Sequence, residues 1–283
     1  EYKTDVTLGL LATLGISSLF LYAGIEVDLP GLRRGLVILS GHLAFRSLSV
    51  GAVAWAATEY MQLGWPAAIL LSLAILTPST GFILDSLSRL GLDDDERFWV
   101  TNKAVAGELL ALGALFAVLQ SGSMERLGMA SGALVALIVC LPLAYLLLGR
   151  LVVKHAPGSE FSLLVMVGMV AAYVTKLLGA YYLVGAFIAG LVARLMRRSM
   201  PELSSEANQH AVKVFASFFL PFYFFSSGMK VTADALSWDA LAIGLSISAL
   251  FLPVRIGAVW LQRRIFLHES KESSLRVSIA LAP

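Results

Sequence analysis

Few ionisable side chains interrupt the long apolar runs of this chain, and they are the residues able to do chemistry. Glu108 lies ten residues beyond Phe98 in one such run, about 15 Å along a helix. A charge within a membrane span costs at least about 2.5–3.5 kcal/mol on insertion scales. A carboxylate at that depth must therefore be protonated, paired or bound to a cation. A group that holds either a proton or a cation, but not both together, is an exchange site; a permanent structural pair between helices is the competing reading. Arg255, seven residues before Gln262 in another apolar run, reaches a depth that allows contact with Glu108. Its guanidinium stays charged, so it can neutralise the carboxylate when no cation is bound, or simply lock two helices together.

The apolar run that opens near Trp65 is interrupted close to halfway by Thr77-Pro78-Ser79-Thr80-Gly81. At 1.5 Å per residue the break lies about 18 Å deep, near the bilayer midplane. Proline removes a backbone donor and clashes with the preceding turn, and the hydroxyls of Thr77, Ser79 and Thr80 can satisfy freed groups or face an ion. A plain proline kink and a discontinuous helix at a transport site both fit. His42 and Arg46, spaced i and i+4, share one helix face and serve either interhelical packing or an aqueous pathway and pH sensing. Asp85, just past the break, lines the cytoplasmic half of such a pathway or is a helix-end charge. Lys103, Lys176 and Lys213 sit nearer span ends, where long stems reach the interface, and no chemistry is expected of them.

These residues must be positioned by membrane-spanning helices. Apolar residues make up 58% of the 283 positions and charged ones 14%. Soluble domains run at about 45–50% and about 25%, so a soluble fold is excluded. With 21 Lys and Arg against 19 Asp and Glu there is no global basic field, and no nucleic-acid partner is expected. Cys140 is the sole cysteine, so no intrachain disulfide forms; it reads as a small buried hydrophobe. His42, His155, His210 and His268 lie on four different segments, which makes a poor metal set. No His-Glu-x-x-His or Gly-x-Ser-x-Gly pattern is present, so the chain is read as no enzyme and as needing no cofactor.

A span needs about 20 mostly apolar residues. Nine stretches qualify: 7–26, 34–58, 66–90, 98–119, 128–150, 160–178, 181–197, 206–228 and 238–262, with a tenth beginning near Leu275. The expected fold is thus an all-α, polytopic helical bundle. Alternation puts 13 Lys and Arg on one face, including Arg33, Arg34, Arg197, Arg198, Arg263 and Arg264, against Lys3, Arg126 and Lys230 on the other. That asymmetry places the first face in the cytoplasm. The acidic run Asp93-Asp94-Asp95-Glu96 falls on the cytoplasmic face and reads as a solvated helix N-terminus. The segment Ser278–Pro283 carries a proline about eight residues into an apolar run, which is what an inverted repeat of the first break would give.

Three ordered segments resemble the monovalent cation:proton antiporters of the Kef and NapA type. Leu21-Tyr22-Ala23-Gly24-Ile25-Glu26-Val27-Asp28 is similar to that family's apolar run ending in Gly-x-Glu-x-Asp. Val184-Gly185-Ala186-Phe187-Ile188-Ala189-Gly190 is similar to its Leu-Gly-Ala-Phe-x-Ala-Gly segment. Phe219-Leu220-Pro221-Phe222-Tyr223-Phe224-Phe225-Ser226-Ser227-Gly228-Met229 looks like its Leu-Pro-x-Phe-Phe-x-x-x-Gly-Met segment. The resemblance implies an inverted-repeat fold of about thirteen helices with two crossed, discontinuous ones, so that about two helices precede Glu1 and roughly one and a half follow Pro283. It implies a core at about 34–119 and 238–283, and a dimerisation or scaffold part at about 7–26 and 128–228, in a homodimer of a bacterial-type inner membrane.

The resemblance further implies exchange of Na⁺ or K⁺ for H⁺, with Glu108, Thr77, Ser79 and Thr80 as the ion and proton site and Arg255 as its charge partner. Asp85, His42 and Arg46 remain pathway candidates. Gly107-Glu108 stands where Kef-type members carry Gln-Asp and others Asp-Asp, so one proton for one monovalent cation is the simpler expectation. Three alternatives stay open: an organic-anion carrier of similar fold, an ion channel, and a non-transporting membrane subunit whose buried charges only join helices.

Overall fold

The computed structural model describes residues 5–27, 36–77, 93–120, 124–156, 158–178, 181–232 and 237–267. Ser79, Thr80, Asp85 and the segment after Leu275 lie outside the described residues. Within them the chain forms nine α-helices and no strand. In order these are α1 (Val6–Glu26), α2 (Leu36–Met61), α3 (Trp65–Leu76), α4 (Asp94–Gln120), α5 (Met124–His155), α6 (Glu160–Leu177), α7 (Tyr182–Leu195), α8 (Glu206–Gly228) and α9 (Trp238–Leu267). Six stretches are long and apolar enough to cross a membrane: Val6–Glu26, Glu96–Val118, Leu127–Val152, Glu160–Leu177, Glu206–Gly228 and Trp238–Leu261. Together they make an all-α, multi-pass integral membrane protein.

The chain divides into two compact units, Glu1–Asp28 with Leu119–Thr232 and Leu29–Val118 with Ala233–Pro283. In the first, α1 packs against both α7 and α8, at distances that only glycine permits. A Cβ on Gly24 would strike the Phe187 carbonyl oxygen, and one on Gly190 would strike that of Leu21. A Cβ on Gly15 would lie 2.5 Å from the Phe219 carbonyl. Between helices in lipid, where hydrophobic driving force is absent, such close backbone approach supplies the packing energy. Helix α7 is buried continuously from Leu183 to Gly190. Tyr145 on α5 is fully buried and donates to the Ala189 carbonyl at 3.2 Å. Cys140, expected to be buried, is exposed. Ile138, Val139 and Leu143 near it on α5 are exposed as well.

The second unit starts from a hairpin of α2 and α3. Ala54, Ala57 and Ala68 form its small core, flanked by Leu63, Ile69 and Leu71, and Gln62 turns the chain at a φ of 56°. Helix α3 stops after 12 residues, about 18 Å, at Leu76. Thr77 is its C-cap, with extended backbone at φ −91° and ψ 109°. The start of α4 is set by a reciprocal cap: the Glu96 amide donates to the Asp93 carboxylate at 2.7 Å, and the Asp93 amide donates to that of Glu96 at 3.1 Å. Glu96 is only 2% exposed. The acidic run is therefore not wholly solvated as expected, because one of its carboxylates folds back to satisfy the helix end.

Candidate functional site

Helix α4 carries Glu108, which is half-buried, and Gly107 beside it, which is buried. The cap at Asp93–Glu96 fixes where the helix begins and so fixes the height of both. Helices α2 and α4 meet through large polar and aromatic side chains. His42, 4% exposed, packs edge to face on Trp99 with ring centroids 4.5 Å apart. Lys103 lies over the same indole, its Nζ 5.1 Å from the ring centroid. The ammonium thus sits on an aromatic face.

One turn beyond His42, Arg46 makes the link that organises the site. Its Nη2 donates to the carbonyl of Leu76, the last residue of α3, at 2.6 Å. Its Nη1 lies 2.9 Å from the place where a Cβ on residue 107 would stand. The guanidinium therefore fills a notch that exists because residue 107 is glycine. A helix C-terminus carries unpaired carbonyls and partial negative charge, which a cation at that end stabilises. Arg46 thus ties the end of α3 to the helix that bears Glu108. The Thr77 hydroxyl, at that same helix end, is buried without a hydrogen-bond partner. An orphaned buried hydroxyl calls for an explanation, and a bound cation is one that its oxygen can supply. Arg255, half-buried on α9, belongs to the same unit, and α9 packs on α3.

The structure thus joins Arg46 to the end of α3 at Leu76 and to the Gly107 notch beside Glu108, with His42 one turn along from Arg46, Thr77 next in the chain after Leu76 and Arg255 on α9 of the same unit. Arg46 had been expected only as a pathway or packing residue, and the Gly107 notch and Trp99 were not anticipated. The signal was present in part: His42 and Arg46 share a helix face, and a glycine directly precedes the intramembrane carboxylate. What no pattern in a single chain shows is that this glycine makes room for a side chain from another helix. Among the described residues no group of three or more His, Cys, Asp or Glu is placed to hold a metal ion.

Six apolar stretches long enough to cross a membrane, one of them carrying a half-buried carboxylate in the same unit as a helix that stops short, define a multi-pass membrane protein. The family model for the sodium/hydrogen exchanger, transmembrane, matches residues 2–283, and the chain belongs to that family. Cation:proton antiport is accordingly its general activity. A comparison with curated proteins finds no match.

Proposed function

We propose that the protein exchanges Na⁺ or K⁺ for H⁺ by alternating access, with Glu108 as the carboxylate that the two ions share. The observation that carries this reading is the meeting of the end of α3 with the Glu108 helix through Arg46, next to a Thr77 hydroxyl that lacks a partner. A monovalent cation gains a carboxylate and a hydroxyl there, while a proton gains the carboxylate alone, so the two compete for one group. Thr77, with Ser79 and Thr80 beyond it, supplies neutral oxygens. Arg255 balances the carboxylate when the site is empty. His42 and Asp85 belong to the water-filled approach.

With glycine rather than a second carboxylate at position 107, one proton leaves for each cation bound and exchange is electroneutral. The unit bearing Glu108 carries the ion, and the glycine-packed unit serves as scaffold and dimer surface. Purified protein in liposomes with an imposed proton gradient, monitored by fluorescence dequenching, tests the reading. Na⁺ or K⁺ should dissipate the gradient in the intact protein and neither should do so in Glu108→Gln. Exchange surviving in Glu108→Gln removes that carboxylate from the mechanism. A membrane potential building up during exchange overturns the stoichiometry.

A further inference from the structure

Arg46 touches two structures that the exchange reading needs, yet that reading gives it no task beyond the pathway. The Leu76 carbonyl ends α3, and the residue that follows is Thr77. Gly107 precedes Glu108, and the space above it holds the Arg46 guanidinium rather than a side chain of its own. Arg46 is itself largely enclosed, and its Nε is buried without a hydrogen-bond partner. Holding a guanidinium in so enclosed a place is costly in lipid, where intramembrane arginines are rare and generally paired with backbone carbonyls or with acidic groups. A plain packing contact between α2 and α4 is already supplied by His42 on Trp99.

We infer that Arg46 is a positioning residue for ion binding: seated in the Gly107 notch, it holds the carbonyl end of α3 against the Glu108 helix, so that the Thr77 hydroxyl and the carboxylate act as one site. The inference rests on the exchange reading above and adds to it a determinant of cation affinity supplied by a helix that carries no ligand. Two geometric consequences follow. Arg46 occupies the Leu76 carbonyl, leaving the Thr77 hydroxyl as a free oxygen at that helix end. Any side chain at 107 must displace the guanidinium, because the clash falls on Nη1 and Cζ, at 2.9 and 3.1 Å. Those atoms end a flexible side chain and can move without unfolding the helix pair.

The test is cation-dependent exchange in liposomes for Arg46→Gln, Arg46→Lys and Gly107→Ala, with KM for the cation and the maximal rate measured separately, alongside thermal unfolding of each variant. Arg46→Gln is expected to raise the cation KM at least tenfold while changing the maximal rate less than threefold. Arg46→Lys, which keeps a charge able to meet the Leu76 carbonyl, should recover part of the affinity. Gly107→Ala, which keeps the arginine and moves it, should raise KM as Arg46→Gln does while melting near the wild type. A wild-type KM in Gly107→Ala overturns the inference, as does a wild-type KM in Arg46→Gln even if that protein is less stable. Equal loss in Arg46→Lys and Arg46→Gln overturns it too. Glu108→Gln separates the two levels: if it still exchanges, the ion-site reading fails, whereas if it is inactive and the Arg46 and Gly107 variants keep wild-type KM, only the positioning role fails.

Discussion

Glycine does opposite work at two places, one in each unit. In the unit built from α1 and α5–α8, Gly24, Gly190 and Gly15 let one helix backbone lie directly on another, and the obstacle to any Cβ is a carbonyl. In the unit that carries Glu108, Gly107 makes room for the guanidinium tip of Arg46. The first arrangement is rigid because backbone cannot step aside. The second is adjustable because the end of a long side chain can. A membrane protein has no water-driven collapse to hold its helices, so close glycine contact suits the unit proposed as scaffold. Polar side-chain links suit the unit proposed to bind and release an ion.

The sharpest way to break this comparison is one substitution made in both units. Gly190→Ala drives a methyl group into the Leu21 carbonyl, so its cost should exceed the roughly 1–3 kcal/mol typical of overpacking. The expected outcome is loss of monodisperse protein on size exclusion after detergent extraction. Gly107→Ala should elute and melt close to the wild type. If the two alanines destabilise equally, the distinction between backbone and side-chain obstacles is wrong.

Next in size is the loss of activity without loss of fold. Glu108→Gln keeps the shape of the side chain and removes its ability to exchange a proton for a cation. Exchange should fall to the level of empty liposomes while the unfolding temperature stays within a few degrees, because a half-buried neutral amide is less costly in lipid than a carboxylate. A large drop in stability together with inactivity would instead point to a structural ion pair.

Much of this was legible before any coordinates. Run lengths and the Lys and Arg asymmetry point to a polytopic helical protein, and the depth of Glu108 marks it as the group to explain. The break after Leu76 follows from Thr77-Pro78, since the residue before a proline is pushed away from helical backbone. Arg46 was harder to read. Its partners, Leu76 and Gly107, are 30 and 61 residues away, and neither a backbone carbonyl nor a missing side chain leaves a mark in sequence. Glu96 misled for the opposite reason: an acidic run at a helix start reads as solvated, yet the spacing of Asp93 and Glu96 is also that of a reciprocal cap.

A smaller effect sharpens the ion-site half of the comparison. Thr77→Val keeps shape and volume but removes the partnerless hydroxyl. Burial of an unsatisfied hydroxyl costs about 1–3 kcal/mol, so the apoprotein should be as stable as the wild type or more so. If the oxygen serves the cation, losing about 1–2 kcal/mol of binding corresponds to about a five- to thirtyfold rise in KM. Stability and affinity should therefore move in opposite directions. A Thr77→Val protein that is less stable and binds as well as the wild type would make the hydroxyl a structural one.

The smallest expected effect lies in the other unit and provides its control. Tyr145 is fully buried, and its hydroxyl spans from α5 to the Ala189 carbonyl on α7, beside the glycine contacts that join α7 to α1. Tyr145→Phe removes that single bond and leaves the ring in place. Hydrogen bonds between membrane helices average about 0.6 kcal/mol, because the unfolded chain in lipid also finds partners. The unfolding temperature should drop by only about 1–2 °C, the vacated carbonyl lying where backbone packing already fixes the helix. Cation KM should not change, since the bond joins two helices of the other unit. A change in KM without a matching change in stability would mean that the glycine-packed unit also tunes the ion site, and the division of labour between the two would have to be redrawn.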